Sequence, residues 1–250
     1  VHEAEEARRE PERQRRRRSP AAPGPVWARS EPRRDALNRA GIVAAASRIA
    51  DAEGLGAVSI RRVASELGAG TMSLYTHVAS KDDLLDLMFD ELIGEARVTG
   101  PPQPDWRASL IAIARRKRAL CLSHPWAVRL YGRRPLLGPN AMRLFEETLA
   151  AMHDLRTDPA TAWQVICAVD DYTLGFVQRE TVYGEAARQQ GSALNDWEAT
   201  IDPYLRQVTE SEDFPLLRAL RPVLGRTDER SFEQGLDWLL DGIEARLGSR

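Results

Sequence analysis

From Asp35 onward the apolar positions of the chain recur at steps of three and four residues, the period of amphipathic helices. Between Asp35 and Glu53 a single stripe of Ile42, Val43, Ala46, Ile49 and Ala50 predicts a first helix that Gly54 ends. Ser59 stands as an N-cap before Val63, Ala64 and Leu67, which predict a second. The run Gly68-Ala69-Gly70 interrupts it, because glycine enters the left-handed region without steric cost. A third, short helix is predicted from about Thr71 to His77, with only Leu74 and part of Tyr75 to offer a core. Two short helices crossing steeply, with small residues at the touch point and the bend, form a helix-turn-helix pattern. The next helix, Lys81 to about Ala96, is apolar around more than half its circumference through Leu84, Leu85, Leu87, Met88, Leu92 and Ile93. One small domain does not consume such a surface, so a rod packed against two domains is expected.

Gly100-Pro101-Pro102-Gln103-Pro104 then breaks the chain. Asp105 is read as the cap of a helix reaching Ser123, followed by a short helix from His124 to Tyr131 that Gly132-Arg133-Arg134-Pro135 stops. Further helices are predicted over 141–153, 159–182, 202–208 and 214–223, with a mobile polar loop over 184–200 and a last helix, capped by Ser231, to Leu247. No alternating strand pattern intervenes, so the fold class is all-α. Its expected parts are a helix-turn-helix unit over 33–80, a linking helix over 81–100 and a larger helical bundle over 105–250. Residues 1–32, rich in Arg, Glu and Pro and almost without core material, read as a disordered arm.

Composition changes this picture in one respect. The net charge of −2 predicts no partner, but between Arg13 and Lys81 there are thirteen Arg or Lys against five acids, an excess of eight. Positive charge thus gathers around the short helices, as phosphate binding requires. The two cysteines sit in apolar helical contexts and read as buried free thiols. No run approaches the roughly 20 apolar residues of a membrane span and no signal peptide opens the chain, so a cytoplasmic protein without membrane contact is expected. There is no H-E-x-x-H, G-x-S-x-G or P-loop, and the four histidines are scattered. No catalytic residue, metal site or cofactor is assigned.

Once its core positions are satisfied, the third helix leaves out Thr71, Met72, Ser73, Thr76 and His77. Hydroxyls, a ring and methyl-bearing groups on a short helix suit the major groove of double-stranded DNA. The segment Leu37–Leu92 carries an Ala64-x-x-x-Gly68 turn, Leu74-Tyr75-x-His77-Val78 and Lys81-Asp82-x-Leu84-Leu85 in order. It closely resembles the DNA-binding domain of the tetracycline-repressor (TetR) family. That resemblance implies DNA contacts at Ser59, Arg61, Thr71, Met72, Ser73, Tyr75, Thr76, His77 and Lys81. Arg62, beside Arg61, is a further candidate for phosphate or guanine. Arg15–Arg18 in the arm are candidates for phosphate or the minor groove.

The second part is similar to the ligand-sensing half of the tetracycline repressors at Gly132–Pro135 (GRRP) and Asp171–Phe176 (DYTLGF). The resemblance implies a small-molecule effector and a homodimer joined through the helix from Pro159 and the last helix. A histidine and a glutamate that hold magnesium–tetracycline in those repressors correspond to Leu130 and Arg179, so a largely apolar, metal-free effector is expected. Candidate pocket residues are Trp126, Leu130, Arg134, Pro135, Thr148, Trp163, Asp170, Asp171, Thr173 and Phe176. Arg134 or Arg179 is the candidate partner of one of the paired aspartates, the alternative being that these face solvent or a dimer partner. The basic run Arg115–Arg118 reads as a solvated face. The expected function is a ligand-responsive transcriptional regulator, a repressor binding a palindromic operator as a dimer. The alternative is a helical small-molecule-binding protein whose helix-turn-helix is vestigial or contacts protein.

Overall fold

The computed structural model describes residues 25–29, 37–97, 103, 105–133, 136–189, 194–210, 214–220 and 227–247, with backbone alone for 183–189 and 194–201. All regular elements among them are helical: α1 (Arg39–Glu53), α2 (Ile60–Glu66), α3 (Thr71–Tyr75), α4 (Lys81–Glu95), α5 (Trp106–Ser123), α6 (Pro125–Val128), α7 (Pro139–Ala151), α8 (Pro159–Gln189), α9 (Leu194–Thr209), α10 (Pro215–Leu220) and α11 (Glu229–Leu247).

Several of the helices start where a side chain takes up an orphan amide. Asn38 accepts from Gly41, Ser59 from Arg62, Ser80 from Asp83 and Asp105 from Ala108. Asp82 and Asp83 in the first turn of α4 also complement its dipole. The turn between α2 and α3 closes through Gly68 at φ +61°, with the Ala69 amide donating back to Ala64 at 2.9 Å.

Several boundaries move. The first helix begins at Arg39, not Asp35, because Asn38 is its cap. The third ends at Tyr75, with Thr76 and His77 in a turn. The expected mobile loop over 184–200 is corrected: α8 runs on to Gln189 and α9 begins at Leu194. The last helix is capped by Asp228, which accepts from both the amide and the hydroxyl of Ser231.

The disordered-arm reading is also corrected over 25–29. Val26–Ala28 form a 3-10 turn whose Val26 is buried. Arg29 forks onto Asp83 at 2.6 and 3.0 Å, and Arg39 donates to the carbonyls of Arg29 and His77. Residues 1–24 and 30–32, with Arg15–Arg18, lie outside the described residues.

Two cores result. The first joins α1–α4 and also takes in Trp126, Ala127, Leu130 and Ala141 from the bundle. The second packs α5, α8 and α11 around Leu110, Val169, Phe176, Phe232, Leu236 and Leu240. Helix α4 therefore belongs to the head and the bundle at once, as its broad apolar surface requires.

Candidate nucleic-acid interface and effector cavity

Helix α3 is held by one side chain. Leu74 is fully buried, a contribution of about 2–3 kcal/mol from its removal from water. Around it Met72, Ser73, Tyr75 and Thr76 are exposed and Thr71 is half-buried, and Met72 keeps 77% of its surface accessible. A methionine that open on a five-residue helix adds nothing to the core. The Thr76 hydroxyl donates to the Ser73 carbonyl at 2.6 Å, so it offers lone pairs and a methyl group outward. Arg61 and Lys81 are exposed on α2 and at the first position of α4.

Three candidates stand differently. His77 is buried, 7% exposed, so its ring belongs to the turn's packing and leaves the outward set. The guanidinium of Arg62 is held by Glu53 at 2.7 Å and Glu66 at 2.9 Å, solvent-accessible pairs that a DNA contact would have to replace. The Ser59 oxygen accepts from the Arg62 amide at 3.1 Å and serves first as the cap of α2.

In the bundle a cavity of about 190 Å³ opens between α4, α5, α7 and α8. A cavity of about 150 Å³ already takes benzene, so this one has room for a small aromatic ring system as it stands. Thr148, Trp163, Asp170, Asp171 and Thr173 line it as the sequence suggested, and Trp163 meets Phe145 edge-to-face at 5.0 Å. Leu144, Phe145, Ile113, Cys167 and Ile93 of α4 complete much of the apolar wall, and no motif singled them out.

Other expected pocket residues lie elsewhere. Trp126 and Leu130 are buried in the core shared with the head, and the Trp126 indole donates to Asp51 of α1 at 2.6 Å. His124 Nδ1 meets the same carboxylate oxygen at 2.7 Å. Phe176 packs in the second core against Phe232, ring centres 5.2 Å apart. Arg134 and Pro135 lie outside the described residues. Arg179 stacks over the Phe176 ring, while Glu180 pairs with Arg118.

The basic run is a solvated face only at Arg115 and Arg116, which are exposed; Lys117 is buried and Arg118 half-buried. Arg115 pairs with Glu233, Arg116 donates to the Glu95 carbonyl, and Arg118 forks onto Glu180. Lys117, 6% exposed, pairs with Asp170 at the cavity wall and lies 4.4 Å from the centre of the Tyr131 ring. Lys117, not Arg134 or Arg179, is thus the partner of Asp170, and Asp171 is exposed. One helical turn beyond Lys117, burial pushes the Cys121 thiol up to about 11. The missed signal was a lysine in an otherwise arginine run, four residues from that cysteine. Among the described residues, no three His, Cys, Asp or Glu side chains gather to hold a metal, and no helix is long and apolar enough to cross a membrane.

Comparison with known proteins agrees with this division. Residues 42–88 match the family model of bacterial regulatory proteins of the tetR family, and residues 99–247 match the tetracyclin repressor-like C-terminal domain. The HTH-type transcriptional repressor DrrR1 of Streptomyces coeruleorubidus is 39% identical over 220 residues, 84% of this chain and 78% of its own. An HTH-type transcriptional regulator of Saccharopolyspora erythraea is 35% identical over 92% of this chain and 95% of its own. Among solved structures, ActR of Streptomyces coelicolor in complex with actinorhodin superposes with a TM-score of 0.72 at 31% identity, covering 86% of this chain and all of that one. A reading head, a linking helix and a cavity-bearing bundle, matched along most of their length, place this chain in the TetR family of transcriptional regulators.

Proposed function

We propose that the chain acts as a homodimeric repressor that binds a palindromic operator and is released by a small, largely apolar molecule. The observation that carries this reading is the position of α4. The helix begins at the exposed Lys81, its Leu84, Leu85, Met88 and Phe89 share the head's core with Leu74 of α3, and its Ile93 lines the cavity. A ligand that favours one placement of α4 shifts the two reading heads of a dimer relative to one another, and it acts only through that difference in affinity.

Base reading is assigned to Thr71, Met72, Ser73, Tyr75 and Thr76, and phosphate contact to Arg61, Lys81 and the Ser59 edge. Dimerisation through α8 and α11 is supported by Val182 and Trp238, 55% and 68% exposed in the single chain. It also serves specificity, since two short helices roughly 34 Å apart match successive major-groove faces. The Thr148 and Thr173 hydroxyls already donate to backbone carbonyls of their own helices, and Lys117 is neutralised by Asp170. The described wall therefore offers mostly hydrocarbon and acceptors, which suits an aromatic ligand bearing hydroxyl or amine donors. ActR binds actinorhodin, which makes that compound a rational first probe.

Selection of duplexes from a random library, followed by footprinting on the DNA flanking the gene, tests the reading. A protected palindrome is expected, occupied by one dimer. Equal retention of random and selected duplexes at moderate salt, or a chain that sediments as a monomer at high concentration, refutes it.

A further inference from the structure

Asp90 stands in the middle of α4 with 6% of its surface exposed, a rare place for a carboxylate unless it is partnered. Its partners are in the bundle. The Asn140 amide donates to Oδ2 at 3.2 Å and the Ala141 amide to Oδ1 at 3.0 Å. These are among the orphan amides of the first turn of α7, which a helix's own N-cap side chain ordinarily serves. Helix α7 has no such side chain, since Gly138 is its cap residue and Pro139 follows. Asp90 is the cap of α7, supplied across the boundary by another helix.

The fit leaves no slack. A Cβ built on Gly138 would overlap the Asp90 carboxylate, although the backbone there, φ −73°, suits any residue. One turn along α4, a Cβ on Gly94 would stand 3.1 Å from Cγ of Asn140. Two glycines, one on each helix, thus let α4 and the start of α7 close on one another.

What each helix does on either side of this joint gives it meaning. One and two turns on, α7 presents Leu144, Phe145 and Thr148 to the cavity. In the other direction, Leu84, Leu85, Met88 and Phe89 fix α4 into the head. Resting on the regulator reading above, we infer that Asp90 is the positioning residue that couples the cavity to the DNA-reading helices. The first turn of α7 cannot move without carrying the carboxylate, and with it α4, because the helix dipole and two amides hold that charge.

Coupling is reciprocal, so occupation of the operator must be felt at α7 even when no effector is known. The test is hydrogen exchange on the full-length dimer, with and without an operator duplex selected from a random library, read at residues 138–148. In the wild type, operator binding is expected to change exchange of the Asn140 and Ala141 amides by at least about fivefold, the low end of ordinary coupling. Asp90→Ala is expected to bind the duplex and keep operator protection over α2 and α3, while the change at 138–148 is lost.

Gly138→Ala is the second variant. It displaces the carboxylate with Asp90 still present and should lose the same response. A cap that is merely structural would give faster exchange at 138–148 in both variants with the operator-dependent change intact, and that result overturns the inference. So does a wild type that binds its duplex while 138–148 stays unmoved. A wild type that selects no duplex removes the regulator reading itself, and the coupling with it.

Discussion

Replacing the two ends of the Lys117–Asp170 pair one at a time should have unequal cost, and the inequality follows from their exposure. The Lys117 side chain is 8% accessible, whereas that of Asp170 is 34% accessible at the cavity wall. Asp170→Leu leaves an ammonium among hydrocarbon with no carboxylate to meet it, over the face of Tyr131. Stripping the partner from a fully buried ion costs about 3–5 kcal/mol, and the partial exposure of this pair reduces that to about 2–4 kcal/mol. Lys117→Met leaves a carboxylate that water already reaches, and the thioether fills the vacated space. The loss there is about 1–2 kcal/mol, including the cation–π contact.

The double variant Lys117→Met/Asp170→Leu should recover most of the loss, to within about 1 kcal/mol of wild type, because neither charge remains to be desolvated. Urea unfolding at one fixed protein concentration reads all four proteins, since the stability of the proposed dimer would depend on that concentration. The reasoning is refuted if Lys117→Met proves the costlier single change. A double variant that loses the sum of the two singles refutes it equally, since additivity means that the two charges do not act on one another.

Lys81→Ala should weaken binding to every duplex about equally and flatten the salt dependence by close to one phosphate contact, whereas Met72→Ala should alter base preference by about 1–3 kcal/mol at one position of each half-site. Competition binding across a library at two salt concentrations separates the two, and exchanged behaviour would void the role assignments. Gly68→Ala should destabilise by about 1–2 kcal/mol in thermal melts, because a Cβ there meets no atom within 4 Å and the cost is that of φ +61° alone; no loss would mean the turn relaxes out of the left-handed region. At pH 8 a maleimide should label Cys167, half-buried on the cavity wall, well before Cys121, whose thiol stays protonated up to about 11. Peptide mapping checks this, and an added cavity ligand that leaves Cys167 labelling unchanged is bound elsewhere.

The parts legible in the sequence were those set by local rules. Ser59 and Asp105 cap the helices expected of them, and the glycine turn falls at Gly68. The broad apolar surface of α4 announced a helix with two neighbours. Pairing between distant helices was not legible, because it depends on how those helices cross. Nothing local tells that Arg62 will close on Glu53, that Trp126 will reach back to Asp51, or that Lys117 will be the buried member of a four-residue basic run. Trp126 shows the limit best. An aromatic residue before a GxRP element suits a pocket on composition alone, yet its indole N–H is drawn to a carboxylate on α1, and the ring fills the core between the two domains.

That shared core bears on how such a molecule can signal at all. Had α1–α4 closed a core of their own, the linking helix would transmit only through its backbone, and a shift in the bundle could be lost in a loose joint. Here the head's core includes Ala127, Leu130 and Ala141, so it is completed by the bundle. Side chains packed at crystal-like density do not deform smoothly, and small displacements resolve into one arrangement or another. Polar contacts at two separate places, from Asp51 of α1 to α6 and from Asp90 of α4 to α7, then restrict which arrangements are open. The outward face of α3 needs none of this to touch DNA. In the dimer proposed above it needs the bundle for a defined distance from its twin, and α4, which reaches from the head's core to the cavity, is the element that would set that distance.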